Sequence, residues 1–169
     1  KIYQAVTYVI EKEDPVVLPE VRGEIDFDNV SFHKEDGHEI LHGISFTVKP
    51  GHTLGIMGAT GAGKTSIIQL LERLYDATGG TIRLDGVNIR DLSLKQLRGS
   101  ISLVMQDVFL FSDTISENVR LGKREQVDDA DIRTASESAQ ASEFIERLSE
   151  QYETVIGERG VGLSGGQKQ

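Results

Sequence analysis

Nine consecutive residues of this sequence, Gly58 to Ser66, read GATGAGKTS and combine three glycines with hydroxyl side chains and one lysine. The stretch fits the pattern G-x-x-x-x-G-K-[ST]. Glycines let successive backbone N–H groups turn toward the oxygens of a phosphate, which larger side chains would obstruct. A lysine at this place can reach the outer phosphates, and a hydroxyl can ligate Mg²⁺. The pattern therefore predicts a site for the phosphate chain of a nucleotide.

All residues of this phosphate loop are candidate nucleotide contacts: Gly58, Ala59, Thr60, Gly61, Ala62, Gly63, Lys64, Thr65 and Ser66. Lys64 is the predicted catalytic side chain, and Thr65 is the predicted metal ligand. A chance match in a chain of 169 residues is below about one in a hundred. The alternative is a glycine-rich turn with a surface lysine. Such loops serve small-molecule kinases, GTPases and motor ATPases, so the loop alone does not choose a function.

A second glycine motif lies about a hundred residues further along the chain, where residues 163–167 read LSGGQ. Ser164 suits the N-cap of a helix, because its hydroxyl can accept a hydrogen bond from a backbone N–H group. Gly165 and Gly166 leave the first amides of that helix accessible. The motif therefore predicts a second anion site, with Ser164, Gly165, Gly166 and Gln167 as candidate contacts.

Strand and helix patterns flank the phosphate loop. Apolar residues alternate with polar ones in IDFDNVSF (25–32) and in ISFTV (44–48), which predicts two half-buried antiparallel strands. The apolar stretches LGIM (54–57) and ISLVM (101–105) predict two further strands, of which the first leads into the loop. The helical spacing of apolar residues in SIIQLLERLY predicts a helix after the loop, ending near residues 76–80.

The remaining segments complete a predicted α/β chain. TIRLDGVNI (81–89) predicts two short strands joined at Asp85-Gly86, and LKQLRG (94–99) predicts a short helix. Beyond Phe111 the sequence is acidic, rich in Ala and Ser, and carries narrow apolar stripes, which predicts a helical subdomain. The chain thus divides into a helix end with a linker, a core that carries the phosphate loop, and a helical subdomain that carries LSGGQ: residues 1–20, 21–110 and 111–169.

Composition excludes several classes of site. The net charge of −9 argues against binding to a nucleic-acid backbone, because that affinity depends on clustered Lys and Arg. Cysteine is absent, which excludes disulfides, thiolate metal sites and a thiol nucleophile. His33, His38 and His42 lie close together in sequence, but polar histidines beside a turn are more common than metal ligands. The apolar runs are too short to predict a membrane span.

Together, the phosphate loop and LSGGQ resemble the nucleotide-binding domain of ABC transporters, most closely the exporter type, over roughly residues 21–169. Gln106, which follows ISLVM, is similar to the glutamine of the family's Q-loop. LFSDTISENV (110–119) and TVIGERG (154–160) are also similar to exporter segments. The resemblance implies an α/β fold with a P-loop NTPase core, an antiparallel β subdomain and a helical subdomain that carries the LSGGQ signature.

The resemblance also implies an ATPase that binds ATP and Mg²⁺ and drives transport across a membrane. The phosphate loop is expected to hold one ATP with its Mg²⁺. Ser164 and Gly166 are expected to contact the γ-phosphate of an ATP bound to a second nucleotide-binding domain, whether identical or different. Two helix N-termini that converge on one triphosphate neutralise its charge better than one, and hydrolysis removes the ligand that bridges the two domains.

Three further residues take roles from the resemblance. Gln106 is expected to contact Mg²⁺ or the attacking water at the carboxyl end of a strand, where α/β proteins place their ligands. Glu158 and Arg159, with the region of Gln106, are expected to contact the coupling helices of a transmembrane domain; the alternative is an ordinary surface ion pair. These roles imply a location at the cytoplasmic face of a membrane, within an integral membrane transporter.

The adenine site departs from the family pattern. In the family, an aromatic residue two positions after V-x-F stacks on adenine, and here Val30-Ser31-Phe32 is followed by His33 and Lys34. Lys34 is therefore the candidate base contact, through its methylene groups, and His33 or a residue of the partner can substitute for the aromatic ring. We expect weaker discrimination between bases than is usual in the family.

The family's acidic strand, which supplies an Asp linked to Mg²⁺ and the general-base Glu, follows the signature, as does its switch histidine. This sequence stops at Gln169. We expect it to be the N-terminal part of a longer domain, with one position of its central sheet empty, that binds nucleotide but hydrolyses it poorly.

Two alternatives belong to other classes of protein. A soluble ABC-type clamp that acts on ribosomes or DNA would also carry both glycine motifs, but the acidic balance and TVIGERG favour the exporter. A phosphate-loop kinase for a small substrate would not need LSGGQ, and it would transfer phosphate to an acceptor without dimerising.

Overall fold

A computed structural model describes residues 9–34, 37–105, 109–121, 127–157 and 162–168 of the chain. Contacts divide the chain into two units, Lys1–Ser102 and Leu103–Gln169, a division that falls before the one predicted at residue 110. The helix predicted at the start of the chain falls mainly on residues 1–8, which lie outside the described residues. In the described ranges, no helix has the length and hydropathy needed to cross a membrane.

An antiparallel sheet forms the centre of the first unit. Its strands lie in the spatial order β2-β1-β3-β4 and are β1 (Ile25–His33), β2 (Glu39–Val48), β3 (Gly79–Leu84) and β4 (Val87–Asn88). Phe27 of β1 lies opposite Phe46 of β2 on one side and opposite Ile82 of β3 on the other. These pairings confirm the predicted antiparallel strands and the short pair joined at Asp85-Gly86.

An irregularity in β1 occurs at Asn29, which has a φ of 50°. The register of β1 shifts against both neighbouring strands around this residue, as it does at a β-bulge. Gly80 of β3, with a φ of 74°, lies against it, and a methyl group at Gly80 would lie 2.2 Å from the Asn29 carbonyl oxygen. Only glycine fits this approach. The bulge keeps Phe27, Val30 and Phe32 all buried despite their uneven spacing.

One hydrophobic core joins the sheet to two helices, α1 (Lys64–Leu71) and α2 (Leu94–Gly99). Helical spacing brings one face of each helix into this core. Its buried members are Phe27, Val30, Phe32, Leu41, Ile67, Leu70, Leu71, Ile82, Leu84, Ile89, Leu92 and Leu97. The core therefore fixes the helix that follows the phosphate loop against the sheet.

α1 ends earlier than predicted, because Arg73 adopts a left-handed φ of 53°. The side chain of Arg73 is only 2% exposed. It donates to the carboxylate of Asp76 at 3.1 Å and to the backbone carbonyls of Ile10, Ile89 and Arg90 at 3.0, 3.4 and 3.3 Å. A buried charge is tolerated only when it is paired and hydrogen-bonded in this way. Arg73 thus fastens the end of α1 to the segment before β1.

The segment before β1 is held by hydrogen bonds along its length. Val16 forms a parallel bridge with Leu92. The N–H of Leu18 donates to Oε1 of Gln96 at 2.8 Å, and Nε2 of Gln96 donates back to the Leu18 carbonyl at 2.7 Å. The segment that was predicted as a linker therefore packs on α2 and the residues before it.

Asp85, at the turn between β3 and β4, holds the last residues before β1. Its carboxylate accepts hydrogen bonds from the backbone N–H groups of Arg22, Gly23 and Glu24 at 2.7, 3.3 and 2.8 Å. Burial raises the pKa of Asp85, but these hydrogen bonds to the ionised form outweigh it and bring the pKa below its ordinary value. The ionised carboxylate therefore stabilises this part of the fold.

Two predicted strands are wrong. Residues 54–57 and 101–105 have no regular secondary structure, and Met57 and Val104 are 96% and 74% exposed. A strand needs partners for its N–H and C=O groups, and within the described residues the four strands of the sheet pair only with one another. Apolar composition alone therefore did not produce strands here.

Short helices form the second unit. In the described ranges they are α3 (Ile115–Arg120), α4 (Asp129–Ser138), α5 (Ser142–Glu146) and α6 (Gly165–Lys168), with a 3₁₀ turn at Gln151–Glu153. Thr114 caps α3, Asp128 begins α4 with a capping box, and Gln140, with a φ of 59°, follows the end of α4. The buried core is small: Ile115, Ile132, Ile145, Tyr152 and Ile156. This unit confirms the predicted helical subdomain.

Candidate functional site

The phosphate loop packs closely against β2. Gly61 and Gly63 have φ values of 84° and 83°, in the left-handed region that favours glycine. A methyl group at Gly63 would lie 2.8 Å from Cδ2 of Leu41 and 3.0 Å from the carbonyl oxygen of Ile40. Glycine is therefore required at this position both by backbone conformation and by the space beside β2.

Lys64 lies inside the curve of the loop. Its Nζ atom donates hydrogen bonds to the carbonyl oxygens of Gly58 and Ala59, each at 2.8 Å. Lys64 also begins α1, so the N–H groups of Lys64 and Thr65 have no acceptor within the helix. The ammonium, these amides and the positive end of the helix dipole provide the charge and donors that a phosphate chain requires.

A cleft of about 920 Å³ lies beside the loop. Its volume is at the upper end of the range of small-molecule pockets. Its walls come from the end of the β1–β2 hairpin, from the loop with the start of α1, and from the residues after α1. The predicted site residues that line it are Lys34, Gly61, Gly63, Lys64, Thr65 and Ser66. The residues present therefore fit a nucleoside triphosphate.

The other loop residues shape the turn. The Ala62 N–H donates to the Ala59 carbonyl at 3.2 Å, and Thr60 is exposed. A methyl group at Gly58 would lie 3.3 Å from Cβ of Ala62, which is a tight contact. The predicted residues from Gly58 to Ser66 thus form one continuous turn into α1.

Several residues that line the cleft were not predicted. They include Ile40, Gln69, Tyr75, Asp76 and Thr78. Thr78 reaches the cleft because its N–H donates to the Ser31 carbonyl at 2.9 Å, which places the residues after α1 beside the hairpin. No pattern in the sequence marks this contact, since it depends on the pairing of β1 with β3.

A polar cluster closes the hairpin end of the cleft. Nδ1 of His33 lies 2.9 Å from Oγ1 of Thr78, and its Nε2 lies 3.4 Å from Oε1 of Glu39. Nδ1 of His42 contacts the same Glu39 oxygen at 2.7 Å. The hydrogen bond from His42 lowers the pKa of Glu39; burial opposes this shift, and the charges of His42 and His33 add to it. Among the described residues, no group of three or more acidic or histidine side chains, this cluster included, has an arrangement that could hold a metal ion.

The LSGGQ segment forms the start of α6 in the second unit. The Gln167 N–H donates to Oγ of Ser164 at 3.3 Å, and the Ser164 N–H donates to Oε1 of Gln167 at 2.9 Å. Ser164 is thus an N-cap, as predicted. Gly165 and Gly166 are exposed, and a mostly apolar cleft of about 600 Å³ lies beside them within this unit.

Gln106, Glu158 and Arg159 lie outside the described residues. Their roles therefore stay predictions.

Known proteins resemble almost the whole chain. The ABC transporter family profile matches residues 41–169. A protein of Bacillus subtilis (strain 168), named "Uncharacterized ABC transporter ATP-binding protein YknV", is 47% identical over 161 residues, which cover 95% of this chain and 26% of that protein. The β-(1→2)glucan export ATP-binding/permease protein NdvA of Rhizobium johnstonii is 45% identical over 164 residues, which cover 95% of this chain and 28% of that protein.

A solved structure is similar as well. A bacterial Atm1-family ABC exporter with ATP bound matches with a TM-score of 0.90 and 39% identity, over 99% of this chain and 29% of that chain. The chain therefore spans only 26% to 29% of the length of these relatives. The comparisons confirm the predicted exporter-type resemblance and α/β fold, and they favour the exporter over the soluble clamp. The chain belongs to the ABC transporter family.

Proposed function

We propose that this chain is the ATP-binding part of an ABC exporter, in which ATP binding and hydrolysis between two nucleotide-binding domains drive transport across a membrane. The observation that carries the proposal is the position of Lys64, whose ammonium lies inside the glycine loop beside a cleft of about 920 Å³. The names of the relatives support it, since one is an export ATP-binding/permease protein and another is an exporter with ATP bound.

Within this proposal the phosphate loop wraps the phosphate chain, and Lys64 leaves the loop carbonyls to reach the outer phosphates. The hydroxyl of Thr65 and the side chain of Gln106 would hold Mg²⁺, which would supply positive charge beside the phosphate oxygens. Lys34 lies in the cleft wall and packs its methylene groups beside the base.

The signature segment serves a partner rather than the ATP of its own chain. Ser164 and Gly166 are exposed at the start of α6, where they can meet the γ-phosphate held by a second nucleotide-binding domain. Glu158, Arg159 and the region of Gln106 contact the coupling helices of a transmembrane domain. The chain then lies at the cytoplasmic face of a membrane.

The test is equilibrium binding of Mg-ATP to the chain and to its Lys64→Ala variant. We expect about tenfold to hundredfold weaker binding by Lys64→Ala, because a hydrogen bond to a charged group contributes about 1.5–3 kcal/mol and 1.4 kcal/mol is a factor of ten. Lys95→Ala is the matched control, since Lys95 is an exposed lysine of α2 outside the cleft.

Two results would contradict the proposal. One is undiminished ATP binding by Lys64→Ala. The other is phosphate transfer to a small acceptor by a chain that remains a monomer in sedimentation, since that behaviour belongs to a phosphate-loop kinase.

A further inference from the structure

Arg73 connects three parts of the first unit at the end of α1. Its guanidinium donates to the carboxylate of Asp76 at 3.1 Å and to the carbonyl oxygen of Ile10 at 3.0 Å. It also donates to the carbonyl oxygens of Ile89 and Arg90 at 3.4 and 3.3 Å. The left-handed φ of 53° at Arg73 is unfavourable for any residue but glycine. These side-chain contacts therefore hold the end of α1 in a conformation that its backbone does not favour by itself.

Asp76 is the part of this network that a ligand can reach. It lies in the wall of the cleft beside the phosphate loop, and its side chain is 30% exposed. Its Oδ1 atom accepts the hydrogen bond from Arg73 and lies 3.6 Å from Nε of Arg90. Two arginines therefore compensate the charge of a carboxylate that faces the cleft.

The segment before β1, residues 9–24, lies at the other end of the network. The carbonyl oxygen of Ile10 in this segment is the acceptor for Nη2 of Arg73. Ile10, Val16 and Val17 are 81%, 44% and 64% exposed, so much of the segment makes few apolar contacts. A segment of this kind opens locally more often than the strands of a core do.

Opening of the segment acts on the cleft through the guanidinium of Arg73. Acceptors on its Nε, Nη1 and Nη2 atoms hold the planar group in one orientation. Loss of the Ile10 acceptor leaves Nη2 without its partner, so the guanidinium reorients and its pairing with Asp76 weakens. An uncompensated carboxylate in the cleft wall repels the phosphates of a nucleotide. The nucleotide therefore binds more tightly while the segment is docked.

We propose that Arg73 is a positioning residue that couples nucleotide binding in the cleft to docking of the segment before β1, so that each favours the other through the pair of Arg73 and Asp76. Linkage requires that the two effects have the same magnitude. This inference rests on the proposed ATP-binding function and adds to it a point of regulation at the end of α1 opposite the phosphate loop.

The first test is hydrogen exchange of the chain with and without saturating Mg-ATP. The N–H groups of Val16 and Leu18 report on docking, because they donate to the Asp91 carbonyl at 2.7 Å and to Oε1 of Gln96 at 2.8 Å. Mg-ATP is expected to slow their exchange by about threefold to tenfold. Unchanged exchange in a chain that binds Mg-ATP would overturn the inference and leave the proposed function standing.

Lys12→Ala is the matched control for a general loosening of the segment. It removes the ion pair between Lys12 and Asp91 at 2.5 Å, which holds the same segment without using Arg73. Exchange in the segment is expected to be faster both with and without Mg-ATP. The factor by which Mg-ATP slows exchange should stay the same, because weaker docking alone does not change the coupling.

Asp76→Asn separates the charge of this side chain from its shape. The amide oxygen can still accept the hydrogen bond from Arg73, but the negative charge is lost. Mg-ATP is then expected to leave exchange in the segment before β1 unchanged. Slowing as large as in the unaltered chain would overturn the inference.

The second test is equilibrium binding of Mg-ATP to Arg73→Met, to Asp76→Asn and to the double variant that carries both changes. Arg73→Met leaves the Asp76 carboxylate with Arg90 alone, so binding is expected to weaken about threefold to tenfold. The double variant should bind as tightly as Asp76→Asn, because it no longer carries the uncompensated charge.

Equal weakening by Arg73→Met and by the double variant would overturn the inference, since it would show that Arg73 only stabilises the fold. The exchange measurements on Asp76→Asn test the coupling even if Arg73→Met does not fold. Undiminished ATP binding by Lys64→Ala is the separate result that would overturn the proposed function, and this inference with it.

Discussion

The phosphate loop and the LSGGQ segment both begin a helix with glycines, but the units that carry them differ. The loop packs against β2 and continues into α1, which contributes to a core with twelve buried members among the described residues. The LSGGQ segment begins a helix of four residues in a unit whose core, in the same described ranges, has five buried members. A preformed site needs rigid support, whereas a segment that docks on a partner can gain its order from that contact. The first motif thus has rigid support from its own unit, whereas the second has little.

The largest expected difference concerns stability. Ile145→Ala removes a side chain that is 1% exposed from the small core, and a change of this kind costs about 2–5 kcal/mol. With so few other members in that core, we expect α4 and α5 to lose their protection from hydrogen exchange while β1 to β3 keep theirs. Hydrogen exchange followed segment by segment measures this.

The matched variant for Ile145→Ala is Leu97→Ala, which removes a fully buried side chain from the larger core. It should weaken the first unit without unfolding it, because the other core residues retain their contacts. If each variant caused the same loss of hydrogen-exchange protection in its own unit, the two cores would not differ in how well they tolerate the loss of one side chain.

A smaller effect is expected from Asp85→Asn, which alters only the first unit. The folded-state pKa of Asp85 lies below its ordinary value, so the carboxylate contributes stability above about pH 4 and loses it as the pH falls through the folded-state pKa. We expect a loss of about 1–2 kcal/mol at neutral pH, since three backbone N–H groups lose a charged acceptor. Urea unfolding measures the loss.

The difference between the chain and Asp85→Asn should shrink toward zero in acid. Asp14→Asn, at an exposed site in the segment before β1, is the control for the loss of one negative charge. A difference that stays constant from neutral pH to about pH 3 would show that ionisation of Asp85 contributes nothing.

The smallest effect is expected from Ser164→Ala. It removes the cap of α6, which costs about 1 kcal/mol of local stability, and at concentrations where the chain is a monomer it should leave the affinity for Mg-ATP unchanged, since Ser164 is proposed to contact the ATP of a second domain. Ser138→Ala, at an exposed serine of α4, is the matched control. The Mg-ATP titration used for Lys64→Ala measures this affinity as well. Weaker binding by monomeric Ser164→Ala would mean that the two motifs act on one ATP within one chain.

The structural features that the sequence predicted correctly are determined by residues that are close together along the chain. The turn at Asp85-Gly86 and the cap at Ser164 are decided by a few adjacent residues, so short patterns identify them. The strands of the hairpin were identified in the same way, because their alternation matches a sheet with one buried face.

What the sequence missed depends on distant contacts. Residues 54–57 and 101–105 have the composition of strands, but a strand forms only where another pairs with it. The end of α1 was misjudged because the side chain of Arg73 is bound by carbonyls from two other segments. The residues after α1 were not predicted to line the cleft for the same reason, since Thr78 contacts His33 only through the pairing of β1 with β3.

The close approach of Gly80 to Asn29 bears on how a mutation outside the cleft can reshape the cleft. The two residues before Gly80 contact Ser31. Gly79 lies opposite Ser31 in the sheet, and the Thr78 hydroxyl donates a hydrogen bond to the Ser31 carbonyl oxygen. A side chain at position 80 would force β1 away from β3 and draw Thr78 off His33. The shape of the cleft wall therefore depends on a position that does not line the cleft, which a survey limited to the cleft residues would pass over.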